Sequence, residues 1–327
     1  MTDQVQQRRR FNSWVFSLAF AATLDSQAQP SGRPVRIGYL GSNPPDTPDR
    51  RARIDSFRSE MDLLGWTQGS RVGYEFRFAA GADERFLPLA RELVAAKVDL
   101  IVAITTPAAF AAKEATATIP VVFIAADPVE YGLVDSLARP GGNLTGLAVL
   151  ADALMSKRMQ LLTEAVPGIS RVAYLGMNEG RSVQLAQRSA KTLNLELLSV
   201  QVERAENLAR AIGTVPRADG WLVDDYVMFS AHRRQIVELI AAQRKPAVYS
   251  LIPFVHSGGL MAYGTNLERM MRQVASYVDR ILRGTKPYDL PVEQPTRLVL
   301  AVNLRTARDL GVTIARSVLL QADEVVE

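Results

Sequence analysis

One segment, Ile119-Pro120-Val121-Val122-Phe123-Ile124-Ala125-Ala126-Asp127-Pro128-Val129, decides the fold. Its residues 121–125 are a short apolar run without alternation, which is typical of a parallel strand buried on both faces. Pro128 cannot continue a strand ladder and favours an extended conformation at Asp127. The run therefore presents a carboxylate at the carboxyl end of a strand, where open α/β sheets bind ligands. An aspartate that merely begins a surface helix explains the pattern equally well.

Strand and helix patterns alternate on both sides of this segment. In the first half, strand patterns cover residues 35–40, 71–78 and 99–104, and helical patterns cover 48–64, 83–96 and 107–116. After the turn at residues 140–143 the alternation restarts, with strand patterns at 171–176, 195–202, 220–223, 247–250 and 259–263. Short connections between alternating strands and helices indicate right-handed βαβ units. We therefore predict an α/β fold of two Rossmann-like lobes with parallel sheets.

The helix boundaries follow from side-chain caps and from the last apolar periodicity. Asp83, Thr106 and Ser230 each precede a helical pattern and are predicted to be N-caps. Asn266 begins a strongly amphipathic helix that runs to Leu282. Residues 284–295 form a proline-containing linker, 297–302 a terminal strand and 304–310 a short helix.

Length and composition narrow the class of protein. A chain of 327 residues exceeds what one core usually serves, so two domains are expected. The balance of 38 basic against 34 acidic residues gives a net charge of only +4, and the body of the chain has no long basic run, so we expect no nucleic-acid partner. The sequence contains no cysteine, which excludes thiol catalysis, thiolate metal sites, disulfides and a lipid anchor on an N-terminal cysteine.

The first 28 residues have the pattern of an export signal. Arg8-Arg9-Arg10 precede an apolar stretch over residues 11–24, and Ser26-Gln27-Ala28 provides a small-x-small cleavage site. The pattern fits general secretion and, in part, twin-arginine export. A frayed amphipathic start of a cytosolic protein is the alternative. We expect residues 1–28 to be removed and the protein to be periplasmic, soluble and without a lipid anchor.

The residues that carry chemistry cluster at the predicted strand ends. They are Ser42, Thr105, Thr106, Asp127, Asn178, Asp225 and Tyr249. Two sheets that face each other by their carboxyl edges would bring all of them to one cleft. The start of the helix after Thr106 suits an anion such as a carboxylate, and Asp127 or Asp225 suits an ammonium group. Tyr249 is expected to cover a planar part of the ligand. Each residue alone also fits a cap, a turn former or a core aromatic.

Signals for catalysis are weak. The two histidines, His232 and His256, are not in a metal-ligand spacing, and the chain has no nucleophile elbow, phosphate loop or dinucleotide fingerprint. Asp127 and Asp225 are a conceivable acid/base pair, but the sequence supplies neither a nucleophile nor a metal site to accompany them. We therefore expect no enzymatic activity, no cofactor and no metal.

Beyond these patterns, the chain resembles a known family, the tryptophan/tyrosine-type substrate-binding proteins of ABC transporters, which have the type I periplasmic-binding fold. The resemblance covers nearly the whole mature chain. The segments that carry it are 106–109 (Thr-Pro-Ala-Ala), 119–129, 137–146 (Leu-Ala-Arg-Pro-Gly-Gly-Asn-Leu-Thr-Gly), 258–264 (Gly-Gly-Leu-Met-Ala-Tyr-Gly), 289–296 (Asp-Leu-Pro-Val-Glu-Gln-Pro-Thr) and 322–326 (Ala-Asp-Glu-Val-Val).

The resemblance implies two lobes joined by three crossovers that close over a small molecule. It implies an N-terminal lobe of residues 33–147 plus about 265–284, and a C-terminal lobe of 148–264 plus about 285–327. Pocket positions of the family fall on Ser42, Thr106, Asp127, Asn178, Asp225 and Tyr249. Ala125-Ala126 and Asp224 depart from the family pattern, which has glycines and a proline there, so the resemblance does not fix the ligand.

The expected function is the periplasmic solute-binding component of an ABC importer. It would capture an amino acid or a related carboxylate or aromatic compound, and its partner would be an ABC permease in the inner membrane. We expect a monomer. Two alternatives remain open: an exported sensory receptor that docks on a membrane kinase or chemoreceptor, and an exported enzyme that uses Asp127 and Asp225 as acid and base.

Overall fold

The computed structural model describes residues 33–42, 46, 48–149, 151–177, 180–295 and 297–327. The expected export signal lies outside the described residues, and so does Asn178. The described chain contains two sheets, which define an N-terminal and a C-terminal lobe.

The N-terminal lobe contains a five-stranded sheet in the order β2-β1-β3-β4-β5, and all its pairings are parallel. Its strands are β1 (Val35–Gly41), β2 (Val72–Phe78), β3 (Leu100–Ile104), β4 (Val121–Ala126) and β5 (Leu144–Val149). The helices that cover it are α1 (Pro48–Leu63), α2 (Phe86–Ala95), α3 (Thr106–Ala115) and, from later in the chain, α10 (Leu267–Leu282).

Strand β4 is buried on both faces, as its apolar run predicts. Val122 and Ile124 belong to the core beneath α1 and α10, whereas Val121 and Phe123 belong to the core on the opposite face, with α2 and α3. A strand that supplies both cores must be apolar at every position, which explains the absence of alternation.

The C-terminal lobe contains a seven-stranded sheet in the order β12-β11-β10-β9-β8-β6-β7. Its strands are β6 (Arg171–Gly176), β7 (Glu196–Gln201), β8 (Gly220–Val223), β9 (Ala247–Tyr249), β10 (Met261–Thr265), β11 (Leu298–Asn303) and β12 (Glu324–Val326). Its helices are α4 (Ala151–Ala165), α5 (Arg181–Thr192), α6 (Leu208–Ile212), α7 (Val227–Ala231), α8 (Arg233–Ala242), α9 (Pro253–His256), α11 (Leu304–Leu310) and α12 (Arg316–Leu319). Only the pairing of β10 with β11 is antiparallel among these described strands.

The chain passes between the two sheets three times. It crosses after β5, again between β10 and α10, and finally before β11. The last crossing runs beside β5, because Glu293 N donates to Gly146 O at 3.0 Å and Ala148 N donates to Glu293 O at 2.8 Å. Residues 298–303 then join the sheet of the C-terminal lobe.

Four details differ from the sequence prediction. Asp83 lies inside a 3₁₀ turn (Asp83–Arg85) and makes no cap bond, since α2 begins only at Phe86, whose ring is buried in the core. Ser230 lies within α7, which starts early enough to bury Phe229. The N-cap of α3 is Thr105 rather than Thr106. The strand at 298–303 is not terminal, because β12 follows it.

In both lobes, the first strand is joined to the start of the third by hydrogen bonds between an arginine backbone and an aspartate. Asp99 accepts a hydrogen bond from Arg36 N at 2.8 Å and donates its own N–H to Arg36 O at 2.7 Å. Asp219 repeats this with Arg171, at 2.9 Å and 2.8 Å, and also pairs with the Arg171 guanidinium at 2.8 Å. The hydrogen bonds of the Arg171 side chain, followed by those of the Ser170 and Arg171 amides, hold the pKa of Asp219 well below its usual range.

We predict that Asp219→Asn lowers the free energy of unfolding by about 2 kcal/mol at pH 7, because charge-assisted bonds to a shielded carboxylate are lost. A carboxyl group with a lowered pKa contributes its full stability above the unfolded pKa of about 4 and loses it as the pH falls further. The difference from wild type, measured by urea denaturation, should therefore shrink between pH 5 and about pH 2. The control Glu206→Gln removes an exposed ion pair with Arg204. A difference that stays constant with pH would contradict the prediction.

Candidate functional site

Strand order places the predicted residues at equivalent points of both sheets. In each lobe the first strand lies between the second and the third, and ligands of open α/β sheets bind outside the carboxyl ends at this switch point. Ser42 follows β1 and Thr105 follows β3 in the N-terminal lobe, while Asp224 and Asp225 follow β8 in the other. We call the gap between the two carboxyl edges the cleft.

Two residues at the N-terminal edge have unusual backbone conformations. Thr105 has φ 143° and Asp127 has φ 39°, values that non-glycine residues rarely adopt. Such conformations cost about 1–3 kcal/mol each and persist where the surroundings impose them. Here sheet bonds do so, since Thr105 N donates to Ile124 O at 3.1 Å and Asp127 N to Val149 O at 3.0 Å. The strain therefore lies where the sequence predicts a ligand.

The start of α3 has fewer free hydrogen-bond donors for an anion than the sequence predicts. The Thr105 hydroxyl oxygen accepts from Ala108 N at 3.3 Å, Ala109 N donates to Thr105 O, and Pro107 has no N–H. The Thr106 hydroxyl oxygen accepts from Ala126 N at 2.9 Å, which joins the start of α3 to the end of β4. The first turn thus leaves one amide, that of Thr106, and the Thr106 hydroxyl proton for a ligand.

Ser42 contributes a buried hydroxyl to the same edge. Its Oγ is enclosed and has no hydrogen-bond partner among the described residues. A buried polar group without a partner costs free energy, so a partner that comes from outside the chain is favoured.

In the C-terminal lobe the two adjacent aspartates have different surroundings. Asp224 is buried and accepts hydrogen bonds from Tyr174 OH at 2.6 Å and from Asp225 N at 2.8 Å. Asp225 reaches solvent, yet protein encloses the carboxylate closely enough that desolvation raises its pKa, against the opposing charge of Arg158. Asp224 therefore holds Tyr174 and the backbone of Asp225 in place, and Asp225 is the carboxylate that a ligand can reach.

Tyr249 is a correction to the predicted site. Its side chain is only 1% exposed, and its ring stacks on Phe254 with 4.8 Å between centroids. Burial also raises its pKa. Successive side chains of a strand point to opposite faces of the sheet, and Tyr249 points into the core of the C-terminal lobe. It is not brought to the cleft.

Contacts between the lobes show that the two edges face each other. Arg181, at the start of α5, donates to Glu130, in the segment after β4, at 2.7 Å. Its guanidinium carbon also lies 5.5 Å from the centroid of the Tyr131 ring. Nearer the first strand, Arg53 of α1 is close enough to Asp225 to oppose the rise of its pKa. The oppositely charged Arg181 and Glu130 thus bridge the two lobes at one side of the cleft, which we call its mouth.

Two open surface grooves, of about 590 and 440 Å³, contain none of the predicted site residues. Within the described ranges no group of three His, Asp or Glu side chains is arranged to hold a metal ion. No helix in the described part of the chain is both long and apolar enough to cross a membrane.

Comparison with known families agrees with this architecture. The family described as "ABC transporter substrate binding protein" matches residues 46–326, which is most of the chain. The chain belongs to this family.

Individual proteins resemble the chain in sequence or in fold. The substrate binding protein is 28% identical over 263 residues to a protein named "Tyrosine-binding protein" from Clostridioides difficile, covering 78% of this chain and 75% of that one. It shares its fold with a Streptococcus pneumonia ABC domain solved with L-Trp, at TM-score 0.81 and 24% identity over 90% of this chain and all of that one. A conserved domain protein from Vibrio cholerae gives TM-score 0.83 at 23% identity, with the same coverage.

The pair at the mouth of the cleft leads to a prediction about closure. In Glu130→Gln the closed arrangement should be less populated, because the variant loses an attraction across the mouth, although a half-exposed pair is worth only about 0.2–1 kcal/mol. Small-angle scattering in low salt should give a larger radius of gyration than wild type, and 0.5 M salt should reduce the difference by screening. The control Glu114→Gln removes an exposed ion pair within one lobe. Equal radii at both salt concentrations would contradict the prediction.

Proposed function

We propose that this substrate binding protein is the soluble periplasmic component of an ABC importer and delivers a small solute to a permease in the inner membrane. Export would be directed by residues 1–28. The observation that carries the proposal is the pair of switch-point edges that face each other, with the strained Thr105 and Asp127 on one side and Asp225 on the other.

The ligand we propose is an amino acid, most simply an aromatic one. One relative is named for tyrosine binding, and a structural relative was solved with L-Trp. Asp127 and Asp225 would hold the ammonium group by charge-assisted hydrogen bonds. From the N-terminal edge, beside Asp127, the hydroxyls of Ser42 and Thr106 would donate hydrogen bonds to the ligand. Thr105 shapes this edge through its strained backbone, and Asn178 is proposed from the sequence pattern alone.

Binding would be coupled to closure of the lobes. The moving units would be residues 33–147 with about 265–284, and 148–264 with about 298–327, turning about the three crossings. Residues 287–293, which run beside β5, would move with the N-terminal lobe. A ligand that touches both edges only in the closed form shifts the population toward that form. Micromolar affinity corresponds to about −8 kcal/mol, which a few charge-assisted bonds and one buried aromatic contact can supply. The permease would recognise the surfaces that closure brings into register.

We propose that the ligand leaves chemically unchanged and that the protein works as a monomer. A carboxylate pair such as Asp127 and Asp225 would need a nucleophile, a metal or an activated water to perform hydrolysis. Incubating the purified protein with the ligand recovered from it, followed by mass spectrometry, tests this point directly. Any turnover would contradict the proposal.

Asp127→Asn is the variant that tests the ammonium contact. Asparagine tolerates the positive φ of this position, so the fold should be kept, while the loss of charge should weaken binding of L-tyrosine or L-tryptophan by about tenfold or more, that is about 1.4 kcal/mol. Isothermal titration calorimetry measures the change. Asp135→Asn, an exposed aspartate in the following segment, is the matched control. Unchanged affinity in Asp127→Asn would remove Asp127 from the site.

A further inference from the structure

Helix α4 carries a buried arginine that the sequence analysis did not single out. Arg158 is only 5% exposed and lies beneath the carboxyl ends of β9 and β10. Its Nε donates to Tyr263 O at 2.7 Å, and its Nη2 donates to Ser250 O at a long 3.4 Å. Arg158 is therefore held at the edge that faces the other lobe.

Only two of the three guanidinium nitrogens of Arg158 donate hydrogen bonds to described residues. Nε and Nη2 lie along one edge of the fork and take the two carbonyls, whereas Nη1 has no acceptor among the described residues. No described carboxylate pairs with Arg158 within 4.0 Å, and the nearby Asp224 is already held by Tyr174 and Asp225. A buried charge is costly unless it is paired and hydrogen-bonded. Nη1 therefore keeps hydrogen-bond donors that an acceptor from outside the chain can use.

Ser250 gives a second, independent sign of a missing partner at the same place. Its side chain is 1% exposed, and its Oγ is buried without a hydrogen-bond partner in the described part of the chain. Its carbonyl, which Arg158 contacts, fits only because position 264 is glycine. A Cβ on Gly264 would lie 2.2 Å from Ser250 O. The backbone is therefore shaped to keep Ser250 and Arg158 together.

We propose that Arg158 and Ser250 form the subsite that receives the acid group of the ligand in the C-terminal lobe. The inference rests on the proposed function and adds two binding residues to it. An arginine fork matches a carboxylate in geometry and charge, and a serine hydroxyl supplies a further donor. Neighbouring Asp225 supplies the opposite charge, so an α-amino acid, whose amine and carboxylate share one carbon, satisfies both.

Two further observations agree with this assignment. The start of α3 leaves few free amides, so a carboxylate gains little there. Burial lowers the pKa of Arg158, while Asp224 and Asp225 oppose that shift, which places both carboxylates within electrostatic range of the guanidinium. A carboxylate from the ligand would add to this stabilisation, with Arg53 of the other lobe also close to Asp225.

The test compares ligands that keep or lack the acid group. Calorimetric titrations of the whole mature protein use L-tryptophan, indole-3-propionate, which lacks the amine, and tryptamine, which lacks the acid. In Arg158→Gln, affinity for the two acids should fall about tenfold or more, while affinity for tryptamine changes less than about twofold. Arg158→Lys should lose part of the affinity for the acids, because charge is kept and the fork is lost. Arg204→Gln, at an exposed arginine, should match wild type.

Ser250→Ala keeps the test decisive if the Arg158 variants do not fold. It removes one small hydroxyl and should weaken binding of the acids about three- to tenfold without affecting tryptamine. Variants that bind the acids as wild type does, or that lose all three compounds equally, overturn the inference and leave the proposed function intact. Wild-type protein that binds neither L-tryptophan nor L-tyrosine overturns the proposed ligand and this inference with it.

Discussion

The structure depends on a parallel sheet in which an interior strand, β4, is buried on both faces. Because β4 supplies the cores on both sides of its sheet, it is fixed in position, and the backbone at its carboxyl end is fixed with it. Asp127 is then held at a positive φ by a bond to Val149, and Thr105 is held in an equally rare conformation by a bond to Ile124. The rigid interior thus pre-organises the edge at which a ligand would bind.

The two lobes repeat one design, although their sequences show no evident repeat. Each has the same order of its first strands, and each ties its first strand to its third through an arginine backbone and an aspartate, Arg36 with Asp99 and Arg171 with Asp219. These arginine–aspartate hydrogen bonds lie at the amino ends of the strands, and the candidate binding groups lie at the carboxyl ends. Stability and binding are thereby placed at opposite edges of each sheet, which leaves the cleft edges free to carry strain and unpaired hydroxyls.

Much of the fold could be predicted because apolar runs and their spacing report burial directly. Cap positions were less predictable, since Asp83 and Ser230 have cap chemistry but the burial of Phe86 and Phe229 decides where the helices start. At the site, the strand ends predict Ser42, Thr105, Thr106, Asp127 and Asp225, and binding by these residues stays a prediction. Tyr249 failed because the face of the sheet to which it points depends on register. Arg158 was not predicted because an arginine within a helix normally faces solvent. The Arg181–Glu130 pair was not predicted because it joins residues 51 positions apart in the sequence.

The central claim is that the two edges of the cleft close on a ligand. Because the chain contains no cysteine, introduced cysteines can be labelled specifically to measure this closure. Glu84 and Arg204 are exposed and follow β2 and β7, the equivalent outer strands of the two lobes. Single-molecule energy transfer between dyes on Glu84→Cys and Arg204→Cys reports the separation of the cleft edges. We predict two interconverting populations without ligand and a shift to the shorter distance when L-tryptophan or L-tyrosine binds. Calorimetrically confirmed binding with no change in the distance distribution would contradict the account.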